Sequence, residues 1–182
     1  ANFSNDMTLL CTTPAVALTH EVLQENTIVD LSFNGGLDFG GIYGTFGYYL
    51  EPEIHSITPN KAPHTGGTVI KIYGSNFEDS AELACRFGQD LSNLPGKDVN
   101  IVKADYISQN EIRCTVPKAS DEVLVSSKLE KNGLTRMTVF VTKNGEDFHA
   151  AVLDDMSSSG ISKQSDFWYY PQIEVALVSP LV

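Results

Sequence analysis

Pro63-His64-Thr65-Gly66-Gly67-Thr68-Val69-Ile70-Lys71-Ile72-Tyr73-Gly74-Ser75-Asn76-Phe77 reads as a turn, a strand and a stop. Gly66-Gly67 lets the backbone reverse at positive φ without a Cβ penalty. The β-branched run that follows alternates, so Ile70 and Ile72 share one face while Lys71 and Tyr73 share the other. Gly74 and Asn76 can close the strand with a bulge or turn, after which Phe77 can fold back on a core.

The same grammar extends outward in both directions. Arg136-Met137-Thr138-Val139-Phe140-Val141-Thr142 alternates with Met137, Val139 and Val141 inward, and Glu111 to Val116 puts Ile112, Cys114 and Val116 on one face. Asn144-Gly145 ends the first of these runs with the strongest short hairpin signal, both residue types accepting positive φ. Short strands set between Gly, Pro and Asn turns predict an antiparallel β-sandwich. No convincing amphipathic helix occurs; Ser126 to Asn132 could form a turn or two at most.

The chain also repeats itself. Ala1 to Pro14 lies without gaps over Ala104 to Pro117 at an offset of 103, with Ala, Cys, Thr and Pro coinciding and Phe3 meeting Tyr106. Asn34-Gly35 matches Asn144-Gly145 at an offset of 110, and Phe46-Gly47-Tyr48-Tyr49 matches Phe167-Trp168-Tyr169-Tyr170 at 121. Ile57-Thr58-Pro59 then matches Val178-Ser179-Pro180. A period of this size is that of a domain, so the expectation is an array of modules. Residues 1–50 are then the C-terminal half of one module, 51–170 a complete module and 171–182 the first strand of another. The Ser-rich stretch Asp154 to Ser165 is an inserted, solvated loop. Leu50-Glu51-Pro52 leaves about two residues between modules, and Pro restricts them, so a stiff rod is expected.

Composition bounds the function. The 182 residues carry 12 basic and 23 acidic side chains, a net charge of −11 with no basic run, which disfavours nucleic acid and anionic lipid as partners. No apolar stretch is long enough to span a bilayer, so no direct membrane insertion is expected in this segment. Ala1 without a Met reads as a cut end, with any secretion signal or anchor outside it.

Residues 51 to 170 resemble the IPT/TIG family of immunoglobulin-like domains. The matching residues are Pro52-x-Ile54-x-x-Ile57-x-Pro59, Pro63-x-x-Gly66-Gly67-Thr68-x-Ile70-x-Ile72-x-Gly74-x-Asn76-Phe77, Cys85-Arg86-Phe87-Gly88, Ile112-x-Cys114-x-x-Pro117, Val139-x-Val141-x-x-Asn144-Gly145-x-x-Phe148 and Phe167-x-Tyr169-Tyr170. Ala62 departs from the pattern, standing where many members carry Gly. The resemblance implies an all-β fold of immunoglobulin-like antiparallel β-sandwich modules in tandem, and no catalytic residues.

Within that frame Cys85 and Cys114 fall on facing strands and are expected to form a disulfide, the alternative being two buried free thiols. Cys11 aligns with Cys114, so its partner belongs to the other half of its own module; no histidine or basic residue lies close in sequence to make it reactive. His20, His55, His64 and His149 are scattered without metal-ligand or triad spacing, and HExxH, GxSxG and CxxC are all absent, so no catalytic, cofactor-binding or metal residue is assigned. The Gly-rich Gly35 to Gly47 lacks the lysine of a phosphate loop and reads as a hairpin joining two strands. Asp154-Asp155 and Glu51 with Glu53 are acidic loops without the spacing of a calcium loop. Asn2-Phe3-Ser4 is the lone glycosylation sequon, making Asn2 a candidate acceptor if the chain is secreted.

The expected role is that of a non-catalytic rod-like spacer and interaction or assembly unit in a longer extracellular or cell-surface protein. Its partners are neighbouring modules of the same chain and a protein partner or further copies, with loops 90–98 and 154–165 as the gripping surface. A ligand-binding receptor module and an accessory domain of a carbohydrate-active enzyme are the alternatives.

Overall fold

The computed structural model describes residues 2–5, 8–16, 24–88, 100–119, 133–150 and 166–171. They form two units, 1–50 and 51–182. All of their regular structure is strand. The candidate turn at Ser126 to Asn132, the loops 90–98 and 154–165, and the strand expected after Pro171 lie outside the described residues.

In the larger unit the turn and strand that opened the sequence reading are β7 (Val69–Ser75), preceded by β5 (Glu53–Thr58) and β6 (Lys61–Pro63). They are followed by β8 (Ala84–Gly88), β9 (Ile101–Ser108), β10 (Glu111–Thr115), β11 (Thr135–Thr142) and β12 (Asp166–Tyr170). Their pairing order is β5-β7-β10-β9-β8-β11-β12-β6. β9 folds this order into two layers: Ile101, Val102 and Lys103 pair with β8, whereas Ala104 to Ser108 pair with β10. One strand thus belongs to both sheets, as a corner strand of a sandwich does. β5 and β6 divide the opening segment between the layers in the same way, β5 running antiparallel to β7 and β6 parallel to β12.

The alternation expected from sequence becomes burial. Ile70 and Ile72 of β7, Ile112 and Cys114 of β10, and Met137, Val139 and Val141 of β11 all point into one core with Phe87, Phe167 and Tyr169. Gly66 has a φ of 72°, and a Cβ there would stand 2.6 Å from the backbone of Pro117 and Lys118. Gly74 is tighter still, because a Cβ would strike the Glu53 carbonyl and the Phe77 ring. Asn76 then takes the left-handed conformation, φ 62°, and Phe77 turns into the core as expected. Ala62 does more than adjust a turn: it lies in β6, opposite Tyr169, and is fully buried.

Residues 1–50 hold two hairpins, β1 (Asn2–Asn5) with β2 (Thr8–Leu10) and β3 (Gln24–Asp30) with β4 (Ile42–Tyr49). The Gly-rich stretch supplies the loop between β3 and β4 and the glycines within β4. Registers match across the repeat. Asn2↔Leu10, Phe3↔Leu9 and Asn5↔Thr8 become Asp105↔Arg113, Tyr106↔Ile112 and Ser108↔Glu111 when 103 is added, with the same one-residue bulge. Glu25↔Tyr48, Asn26↔Gly47 and Thr27↔Phe46 become Thr135↔Tyr169, Arg136↔Trp168 and Met137↔Phe167 at offsets of 110 and 121.

Candidate functional site

Cys85 and Cys114 sit on the two strands that flank β9, opposite Val102 and Ala104 respectively. Because β9 passes from one layer to the other between those residues, the two cysteines face each other across the core. A disulfide joins them, with the Cα atoms 6.4 Å apart and 29 residues between them in sequence. Both are fully buried. Cys11 is an exposed free thiol.

A second cross-layer tie is a hydrogen bond from the Tyr169 hydroxyl to the Pro117 carbonyl, 2.9 Å. Burial of the ring raises the Tyr169 hydroxyl well above its ordinary pKa by desolvation. Phe167 meets the Tyr169 ring edge-on at 5.4 Å, and Phe87 meets Phe167 at 5.6 Å. Residues 1–50 contain the counterpart: the Tyr48 hydroxyl donates to the Pro14 carbonyl at 3.0 Å, and Phe46 lies edge-on to Tyr48 at 5.1 Å. Sequence alignment superposed Pro14 on Pro117 and Tyr48 on Tyr169, yet nothing in it said that the members of each pair touch.

The turn after β11 also differs from the expected hairpin and is repeated. Only Gly145 adopts positive φ, at 77°. Asn144 instead accepts hydrogen bonds through Oδ1 from the Thr142 hydroxyl and the Asp147 N–H, and donates from Nδ2 to the Asp147 carboxylate. Its side chain thereby replaces the backbone pairing of a tight turn. Asn34 makes the corresponding bonds with Ser32 and Asp38, the aspartate standing four residues on instead of three and both Gly35 and Gly36 taking positive φ. On the strands beside the Asn144 turn the Arg86 guanidinium lies between the Phe140 and Phe148 rings, 4.4 and 4.5 Å from their centroids. These contacts hold a loop in shape; they present no reacting group.

The remaining candidates are dispersed. His55 lies 3.6 Å from Glu53, whose carboxylate also accepts from Ser75, and His149 lies 3.3 Å from Glu51. The two glutamates of the acidic pair thus face different partners. His64 packs beside Tyr169 with its Nε2 buried and unbonded to protein. His20, Asp154 and Asp155 lie outside the described residues. Among the described residues no three His, Cys, Asp or Glu side chains cluster as a metal site would need. No helix of the described residues is long and apolar enough to cross a membrane. Asn2 is the first residue of β1. The outer face of β7, β10 and β9 exposes Val69, Tyr73 and Ile107 around Lys71 and the Arg113–Glu111 ion pair of β10, 3.0 Å, a mixed surface of the kind found at non-obligate contacts.

The chain is similar to known proteins in sequence and in structure. "Probable serine/threonine-protein kinase drkC" of Dictyostelium discoideum is 31% identical over 65 residues, covering 36% of this chain and 7% of the length of that protein. The solution structure of the TIG domain from human nuclear factor of activated T-cells, cytoplasmic 4, superposes with a TM-score of 0.38 at 15% identity, covering 66% of this chain and 88% of that one. The IPT/TIG domain model matches residues 52–150, from the buried Pro52 through the Asn144 turn, and by that match over more than half its length the chain belongs to the IPT/TIG domain family.

Proposed function

We propose that the chain is part of a tandem array of IPT/TIG modules that serves, without catalysis, as a spacer and protein-interaction unit of an extracellular or cell-surface protein. Residues 1–50 are the C-terminal half of one module, 51–170 a whole module and 171–182 the start of the next. What carries this reading is the identity of register in the two pairs of hairpins, with the same bulge, the same tyrosine-to-proline bond and a corresponding asparagine-centred turn. One such coincidence is easily met by chance in an all-β chain. Four in the same order indicate two copies of one unit.

Two further observations support the setting. A structural disulfide in the core is common in proteins of oxidising compartments and rare in cytosolic ones, which supports an extracellular setting. Only Leu50, Glu51 and Pro52 separate β4 from β5, one residue more than the sequence reading allowed, and Pro fixes its own φ. So short a connection supports a stiff succession of modules. A ligand-binding receptor module is the second reading, with which a match to a small part of a probable serine/threonine-protein kinase is compatible. Antibody against residues 51–171 tests the setting: it should label intact cells that make the protein. Labelling only after permeabilisation would refute an extracellular role.

A further inference from the structure

In the larger unit β10 lies beside β7 and β5 in one layer, β11 and β12 lie beside β8 and β6 in the other, and the inward side chains of both layers are buried against each other. The matching face of residues 1–50 is open. Val29 and Phe46 are 37% and 39% exposed, whereas their counterparts Val139 and Phe167 are at 0%. Cys11 is exposed where Cys114 is at 1%. Along β2 the alternation is already that of β10, with Leu9 turned inward as Ile112 is.

Strand edges tell the same story. β10 pairs with β9 on one side and with β7 on the other, and β11 pairs with both β12 and β8. Among the described residues β2 pairs with β1 alone and β3 with β4 alone. Each therefore presents a row of backbone N–H and C=O groups on the side where its counterpart has a neighbour. Isolated two-stranded hairpins are marginal in water, so further strands in each layer are needed for this half to be stable.

We propose that the open face of residues 1–50 is covered by a segment of this chain N-terminal to Ala1 that is built like β5 to β8 and bears, at the position of Cys85, a cysteine bonded to Cys11. This inference rests on the tandem reading above. The occupant follows from chain order, since in the larger unit β5 to β8, which complete both layers, precede β9 to β12. A second copy of residues 1–50 does not suit, because it brings the same open face and no counterpart of β7 or β8. The strands β5 to β8 do not suit either, because they are consumed in their own core. Bond formation takes two electrons and two protons from the two thiols. A disulfide of the oxidising compartment, glutathione disulfide or that of an oxidoreductase, accepts them and leaves as two thiols.

The test is a thiol map of the full-length protein, isolated without reductant from the cells that make it, with N-ethylmaleimide present from lysis onward. Cys11 should be unlabelled and should appear, after non-reducing digestion, in a peptide linked to a cysteine N-terminal to it. Maleimide on Cys11 with Cys85 and Cys114 linked would overturn the inference while leaving the extracellular tandem reading in place. Maleimide on all three would overturn both. A Cys11–Cys11 link between two chains would overturn it in favour of dimerisation.

Discussion

Breaking the Cys85–Cys114 disulfide should lower the stability of the larger unit by an amount that can be worked out beforehand. The bond closes a loop of 29 residues, for which the chain-entropy relation gives about 12 cal/mol/K, or about 3.6 kcal/mol at 25 °C. Reduction keeps both sulfur atoms in the core, so it removes the cross-link without the cavity that a Cys→Ala pair would leave. Against a total of about 5 to 15 kcal/mol for a domain, this is a large fraction. With a urea m-value of about 2 kcal/mol/M, the midpoint should fall by about 2 M. Trp168 is the single tryptophan of the chain and lies in β12, so its fluorescence reports the unfolding of this unit. The protein is reduced and alkylation is omitted; the two samples are then compared at equal urea with dithiothreitol in one of them. Midpoints that coincide would refute the reasoning, since a cross-link buried between layers cannot be without effect on the unfolded chain.

Gly74→Ala should cost about 1 to 3 kcal/mol, because its Cβ meets the Glu53 carbonyl and the Phe77 ring; an unchanged thermal midpoint would show that β5 yields freely. Tyr169→Phe should cost about 1 kcal/mol near neutral pH through loss of the bond to Pro117. The same variant carries a pH signature. The Tyr169 hydroxyl is raised in the folded state, so its contribution is complete below the unfolded value near 10 and is lost as pH rises above it. At about one unit above that value ionisation of the unfolded chain removes about 1.4 kcal/mol from the wild type and nothing from the variant at this position. Urea midpoints of the two proteins should therefore converge or cross between about pH 10 and 11, and a constant gap across that range would contradict the assignment.

What the sequence made legible was local. The alternation in β7, β10 and β11 set which side chains are buried, the Gly66-Gly67 turn set where the chain reverses, and the repeat set which residues are counterparts. Less legible was whatever depends on strands meeting from a distance. β6 is three residues long and has no alternation to read; its pairing with β12 is parallel and spans more than a hundred residues, so Ala62 looked like a turn residue. The layer change in β9 leaves its burial pattern irregular, since the face that is inner beside β8 differs from the one that is inner beside β10. Arg86 carried no pairing signal in the sequence, and only the folded strands bring its guanidinium between Phe140 and Phe148.

The two halves of the repeat separate what a half-module encodes from what it borrows. Register, bulge, the Asn34 turn and the Tyr48-to-Pro14 bond all arise from residues within 1–50, and all of them match the larger unit. Burial of Val29 and Phe46 does not, because it requires both layers to be completed by further strands, and these two side chains remain partly exposed. Fully burying a side chain of this kind is worth about 1.5 to 3 kcal/mol, so the two together withhold a few kcal/mol until those strands arrive. Backbone pairing can thus set the geometry of the half in advance, while side-chain burial supplies the stability. A chain translated from its N-terminus would first make the strands that complete the layers, and β1 to β4 would then close onto a surface already present. The Val29→Asp substitution separates the two contributions in the full-length protein. It should leave the strand content of residues 1–50 recognisable by hydrogen exchange in the β3–β4 hairpin only as fast-exchanging amides, while the larger unit keeps its midpoint by Trp168 fluorescence. Slow exchange of β3 amides in that variant would mean that the exposed face is not a buried layer in waiting.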